Sequence, residues 1–153
     1  IPKNDSIEEF KEIDESWVES VPIRKHKPII ACRYDNVDEY GDAKYITVGK
    51  AQYDNDNDAS VKIWRWDEGN NKWSRQSEEV PISRVFDVAT VLASTINILQ
   101  SKKGEMRSYL NEKVVFEEEL SFLEEQINNR SEHIKQSIIN LKSILNKIDV
   151  DKI

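Results

Sequence analysis

The sequence predicts an α+β domain: a four-stranded antiparallel meander packed against a core helix, preceded by an N-terminal helix and followed by a long helical arm. Three observations carry that reading. Apolar residues recur at helical spacing before Pro22, alternate with period two between Pro28 and Ser77, and return to helical spacing after Pro81. The globular part is expected over residues 1–103 and the arm over residues 104–153.

The first helix is expected over about residues 6–20. Ser6 and Glu9 form a capping box, in which each side chain satisfies a backbone N–H of the first turn. Ile7, Phe10, Ile13, Trp17 and Val21 then line one face, and Pro22 disfavours helical geometry at Val21. Four strand-like runs follow: Ile29–Tyr34, Lys44–Tyr53, Ser60–Trp66 and Trp73–Ser77. In the second, Ile46 and Val48 share one face while Tyr45, Thr47 and Ala51 share the other, and Gly49 marks a candidate bulge. The cluster Asp67-Glu68-Gly69-Asn70-Asn71 reads as a turn. Pro81 suits the first turn of the core helix, expected over about residues 82–102. Ile82, Val85, Phe86, Ala89, Leu92, Ala93, Ile96 and Leu99 give it a wide apolar stripe, with Val88, Val91 and Ile98 outside the stripe. A helix apolar on most sides is expected to be buried on most sides.

From Glu105 to Ile153 there is neither glycine nor proline, and a seven-residue repeat holds in its first column while its fourth column fails in the middle, at Arg130 and Ser137. Leu120, Ile127, Ile134, Leu141 and Ile148 fall in its first column. Such a column points to a coiled-coil seam and hence to a homo-oligomer. The competing reading breaks the arm at Asn128–Glu132, a locally poor helix with a second capping-box pattern, into a hairpin of two shorter helices.

Hydrophobic residues make up 38% of the 153 and charged residues 33%, so the chain is apolar enough to fold without disulfides or metals. The net charge of −7 repels phosphate backbones, and no nucleic acid is expected as a partner. A single cysteine, Cys32, excludes an internal disulfide and fits a reducing, cytoplasmic setting. Its apolar run points to a buried small hydrophobe rather than a nucleophile. No apolar run has the length of a membrane span and no signal peptide is visible, so no membrane partner is expected.

Chemistry-bearing patterns are few. Asp54-Asn55-Asp56-Asn57-Asp58 begins like a calcium loop, but Ala59 and Arg65 stand where glycine and glutamate are required, which favours a solvated hairpin tip. His26 and His133 lie far apart and no paired Cys or His motif exists, so neither metal nor cofactor is expected. Trp64, Trp66 and Trp73 cluster on the last hairpin and read either as core or as a recognition surface. Between the last strand and the core helix, Arg75 has the fork that holds a carboxylate or phosphate, and Glu78 or Glu79 can serve as a base if buried. The bland alternative is a loop whose acids face a helix N-terminus. Arg24-Lys25-His26-Lys27, with Arg33 nearby, is either an anion site or a solvated approach to a strand.

Lys50-Ala51-Gln52-Tyr53-Asp54-Asn55-Asp56, Ile63-Trp64-Arg65 and Trp73-Ser74-Arg75-Gln76-Ser77-Glu78-Glu79 carry a resemblance to a small family of uncharacterised bacterial proteins, over Pro28 to Leu92. The resemblance implies a bacterial or phage origin and carries over no functional residue. The sequence therefore favours a non-catalytic protein–protein interaction module that self-associates through its arm. Two rivals remain: a small-ligand binder or hydrolase-like enzyme using Arg75 to Glu79, and an acidic inhibitor of a basic partner protein.

Overall fold

The computed structural model describes residues 26–34, 41–53, 57–101 and 110–153. The helix expected over 6–20, residues 54–56 of the acidic run and the Gly104 break lie outside these. The fold is α+β. Its strands are β1 (Lys27–Arg33), β2 (Ala43–Lys50), β3 (Ala59–Asp67), β4 (Lys72–Trp73) and β5 (Glu79–Pro81). Its helices are α1 (Val85–Ser101), α2 (Leu120–Asn129) and α3 (Ser131–Leu145). Contacts divide the chain into two units, Ile1–Ala89 and Thr90–Ile153.

In the first unit β1, β2 and β3 run antiparallel in order, and both β4 and β5 pair with β3. The Asp67 carboxylate accepts from the Asn70 backbone N–H at 3.2 Å and from its side-chain amide at 2.7 Å, fixing the turn into β4; Asn71 takes a positive φ there. The last strand was expected as one run, Trp73–Ser77. It is instead split, because Ser74 to Ser77 turn away from β3. The Ser74 hydroxyl accepts from the Gln76 N–H, and the Ser77 hydroxyl donates to the Ser74 carbonyl while accepting from the Arg65 N–H. Side-chain hydroxyls have taken over the backbone's partners, which is how serine competes with a ladder. Pro81, expected in a helix, ends β5 at the sheet edge, where its missing N–H leaves no gap in the ladder. The helix starts at Val85.

The two faces of the sheet differ. Ile30, Val48, Val61 and Val80 stand in one cross-strand row, and Cys32, Ile46 and Ile63 in the next. This aliphatic face is open: Ile30 and Val48 are exposed, and so is Cys32, contrary to the buried position expected for it. The opposite face holds the buried side chains Ala43, Thr47, Ala51, Ser60, Lys62 and Trp64. The aromatic and polar face is thus the inner one.

Gly49 explains how β1 reaches that face. The pairing of β1 with β2 shifts register between Pro28 and Ile30, with Gly49 opposite Pro28. A Cβ at Gly49 would fall on the Lys27 carbonyl oxygen. Only glycine lets the start of β1 lie this close to β2. Gly49→Ala is expected to lower stability by about 1–3 kcal/mol through this clash. Urea unfolding followed by tryptophan fluorescence checks it.

The second unit departs from the expected arm. Residues 111–116 are irregular, with a positive φ at Asn111, Glu117–Glu119 form a 3-10 turn, and α2 and α3 meet at the single non-helical residue Arg130, with φ −120° and ψ 22°. One continuous helix is therefore excluded over the described residues. A side-by-side hairpin is excluded too, because one residue is too short a loop to reverse a helix. The poor helix formers Asn128 and Asn129 account for the kink, and the repeat across it misled because it counts residues and not turns. The core helix expected at 82–102 is also more exposed than its sequence predicts: Ile98 alone is buried in α1, whereas Phe86, Val88, Val91 and Leu92 are exposed.

Candidate anion-binding cleft

Register places the site residues. Thr47 on β2 stands opposite Lys62 on β3, and Lys62 stands opposite Glu79 on β5. Ser60 lies two residues before Lys62 and so on the same face. His26 enters this face immediately before β1, through the close approach at Gly49.

These residues form one chain of hydrogen bonds. The Trp64 indole N–H donates to the Thr47 hydroxyl at 2.9 Å. Thr47 Oγ1 lies 2.9 Å from His26 Nε2, and His26 Nδ1 lies 2.7 Å from Ser60 Oγ. Ser60 donates to Glu79 Oε2 at 2.8 Å, and the Gln52 backbone N–H donates to the same oxygen at 2.9 Å. An indole only donates and a carboxylate only accepts, so one assignment satisfies every member. Thr47 donates to His26 Nε2, and the neutral imidazole donates from Nδ1 to Ser60. The protons all point towards Glu79. In such a chain each bond polarises the next.

The surroundings favour the neutral ring. His26 is fully buried, and this burial pushes its pKa below the ordinary 6.5. The Glu79 carboxylate, 3.9 Å away, pulls it up, and Lys62 pushes it down further. The direction of the chain is the reverse of what a nucleophilic serine needs. Ser60 donates to a carboxylate and accepts from the imidazole, rather than giving its proton to that ring.

Glu79 carries the chain to the surface. It lines a cleft of about 590 Å³ together with Gln52, Tyr53, Lys62, Ser74, Arg75 and Ser77. Lys62 is 5% exposed; its ammonium lies 4.2 Å from the centre of the Trp64 ring and 3.4 Å from the Gln52 side-chain oxygen. Arg75 sits on the exposed Ser74–Ser77 turn. Two cations and one carboxylate therefore line a single concave surface.

Arg65 fixes that turn from the other face. Its Nε donates to Asp42 at 2.8 Å, and its Nη1 lies 3.3 Å from the Gln76 carbonyl oxygen and 3.5 Å from Glu78. The hydrogen bond from Arg65 holds the Asp42 carboxyl below its usual range. Glu78 is thereby drawn to Arg65 and does not line the cleft.

A model of a family of unknown function, DUF6530, matches residues 20–116. The chain belongs to this family. The DUF6530 match contains every residue of the cleft and of the buried hydrogen-bond chain, and ends before α2. No curated protein and no solved structure matches the chain.

Of the residues singled out from sequence, Arg75 and Glu79 share the DUF6530 cleft, and Trp64 lies buried beneath the Lys62 ammonium without lining it. Trp66 and Trp73 are half-buried and stack edge to face at 5.0 Å, while Trp73 meets Trp64 at 5.7 Å. Leu120, Ile127, Ile134, Leu141 and Ile148 lie in the other unit, the first two on α2, the next two on α3 and Ile148 just beyond it. Thr47, Gln52, Ser60 and Lys62 were not recognised as site residues from sequence, and His26 was singled out only as a member of the basic run Arg24–Lys27. The alternation Ser60, Lys62, Trp64 and Trp66 was the available signal, since four such residues share one face of β3. Among the described residues, no group of three His, Cys, Asp or Glu is placed to hold a metal ion, and no helix is long and apolar enough to cross a membrane.

Proposed function

We propose that the cleft binds a small molecule through an anionic group, a carboxylate or a phosphate. The observation that carries the reading is Lys62. A cation nearly removed from water, stacked on Trp64 and opening onto the same hollow as Arg75, is a poor structural filler and a good anion receptor. Arg75 supplies the planar fork that grips two oxygens at once. Glu79, held by Ser60 and Gln52, adds an acceptor for a ligand hydroxyl or amine.

Thermal-shift measurements with inorganic phosphate, citrate and a panel of phosphorylated and carboxylated metabolites test this. At least one is expected to raise Tm in a saturable way, by several degrees at a hundred times Kd. Arg75→Ala is expected to reduce the affinity at least tenfold without lowering the Tm of the unliganded protein. A flat response across the panel, or an undiminished one in Arg75→Ala, contradicts the reading.

A second reading concerns the helical arm. Leu141, Ile144, Leu145 and Ile148 are all exposed and fall close together on and just after α3. Apolar residues grouped in this way support association through the arm, with a homo-oligomer as the product. The mass in solution across a range of concentrations tests it.

A further inference from the structure

Within the second unit, α1 and α2 leave an apolar groove between them. Its larger part, about 490 Å³, is lined by Val91 and Ile98 of α1 and by Phe116, Leu120 and Leu123. A second hollow of about 200 Å³, between Ile96 and Leu99 of α1 and Ile127 of α2, lies between the same helices. Ser94 donates to Glu112 at 2.7 Å, tying the segment before α2 to α1 at the groove. The groove is therefore walled by two segments of the same chain, tied together at Ser94 and Glu112, and is open.

α3 has the complementary shape. Ile134, Ile138, Leu141 and Leu145 recur at spacings of four and three, so they form one stripe, and Ile148 follows just beyond the end of the helix. The stripe is half-buried at Ile134 and Ile138 and exposed from Leu141 onwards. A short amphipathic helix with anchors at this spacing is what an apolar groove between two helices accepts.

Charge selects the partner. Residues 112–129, which form one wall and the rim of the groove, carry six glutamates and one lysine, Lys113. Glu112, Glu119 and Glu124 line the two hollows, against Lys113 as the one lining cation. Residues 131–147, which carry the stripe, hold three lysines, Lys135, Lys142 and Lys147, against one glutamate, Glu132. The chain thus encodes an acidic receptor and a basic ligand for it.

We infer that α3 of one copy seats in the α1–α2 groove of a second copy, and that the exchange is reciprocal. Each copy gives one helix and receives one, so the pair closes as a two-fold dimer and does not grow. The lysines of α3 face the glutamates of the partner's groove, which steers the encounter and makes it sensitive to salt. This rests on the reading that the arm associates, and adds which surfaces meet.

Light scattering on the wild type, at low and high salt, comes first. A dimer that weakens as salt rises is expected, and a strict monomer at all concentrations overturns both the arm-association reading and the exchange. Two variants then separate the two. One carries Lys135→Glu, Lys142→Glu and Lys147→Glu; the other carries Glu117→Lys, Glu119→Lys and Glu124→Lys. All six positions are exposed, so circular dichroism is expected to show both variants folded. Each alone sets like charges against each other and is expected to be at least tenfold weaker as a dimer. Mixed one to one, they restore opposite charges at both contacts, and a heterodimer of wild-type strength is expected. Variants that each dimerise like the wild type, or that fail to pair with one another, overturn the exchange while leaving association through some other surface of the arm.

Discussion

Trp64→Ala is expected to destabilise the first unit by about 3–5 kcal/mol, the range for removing a fully buried aromatic side chain. Trp64 is 1% exposed and makes three kinds of contact at once: its N–H donates to Thr47, its edge meets Trp73, and its face lies under the Lys62 ammonium. Against a typical stability of about 5–15 kcal/mol, such a loss removes a large share of the margin, and it unfolds much of the population only at the low end of that range. Trp64→Phe separates the contributions. It keeps most of the apolar burial but leaves Thr47 without the indole donor, for an expected cost of about 1–2 kcal/mol. Urea midpoints for the two variants check the order, and a Trp64→Ala protein as stable as the wild type would refute the inner-face assignment.

His26 gives the second large effect. His26→Ala removes both ring hydrogen bonds and leaves Thr47 and Ser60 beside a void, an expected cost of about 3 kcal/mol. Its pH dependence has a definite sign. The folded ring resists protonation, whereas in the unfolded chain it titrates near 6.5. Below that value the unfolded state takes up a proton that the folded state refuses, so stability falls. The contribution of His26 is fully present above about pH 6.5 and is lost as pH drops towards the lower folded pKa. His26→Gln keeps an amide that can donate and accept but cannot titrate. Its Tm is expected to fall less steeply than that of the wild type between about pH 7.5 and 5.5, and parallel curves would show that the ring is not held neutral.

The strand periodicity was legible because alternation is written in the side chains themselves. Tyr45, Thr47 and Ala51 do share a face opposite Ile46 and Val48. Gly49 was legible as an irregularity, since a glycine inside a strand signals a close backbone approach. Which face is inner was not legible. Aliphatic side chains favour burial in general, yet here the polar face is buried because His26, Thr47, Ser60 and Glu79 satisfy one another. That closure depends on His26 meeting Ser60 across 34 positions of sequence, which no local pattern encodes. His26 instead read as one member of a basic run.

The polar stretch from Ser74 to Glu79 stood out by composition, but its geometry did not. Glu78 and Glu79 are adjacent and chemically alike. Arg65 draws one of them outwards, and pairing of β5 with β3 turns the other towards Lys62. In the arm, the spacing of Leu120, Ile127, Ile134 and Leu141 suggested one seam. The backbone at Arg130 interrupts it, because a repeat in sequence fixes a helical face only while the helix itself continues.

The most direct test of the cleft is to titrate the isotopically labelled full chain with inorganic phosphate, and separately with citrate, while recording amide and side-chain NMR spectra. Saturable shifts are expected at Gln52, Tyr53, Lys62, Ser74 to Ser77 and Glu79, and at the indole N–H of Trp64, with the shifts abolished by Arg75→Ala. Shifts scattered over the surface without saturation, or confined to residues outside this cleft, would contradict the assignment of an anion site to the sheet.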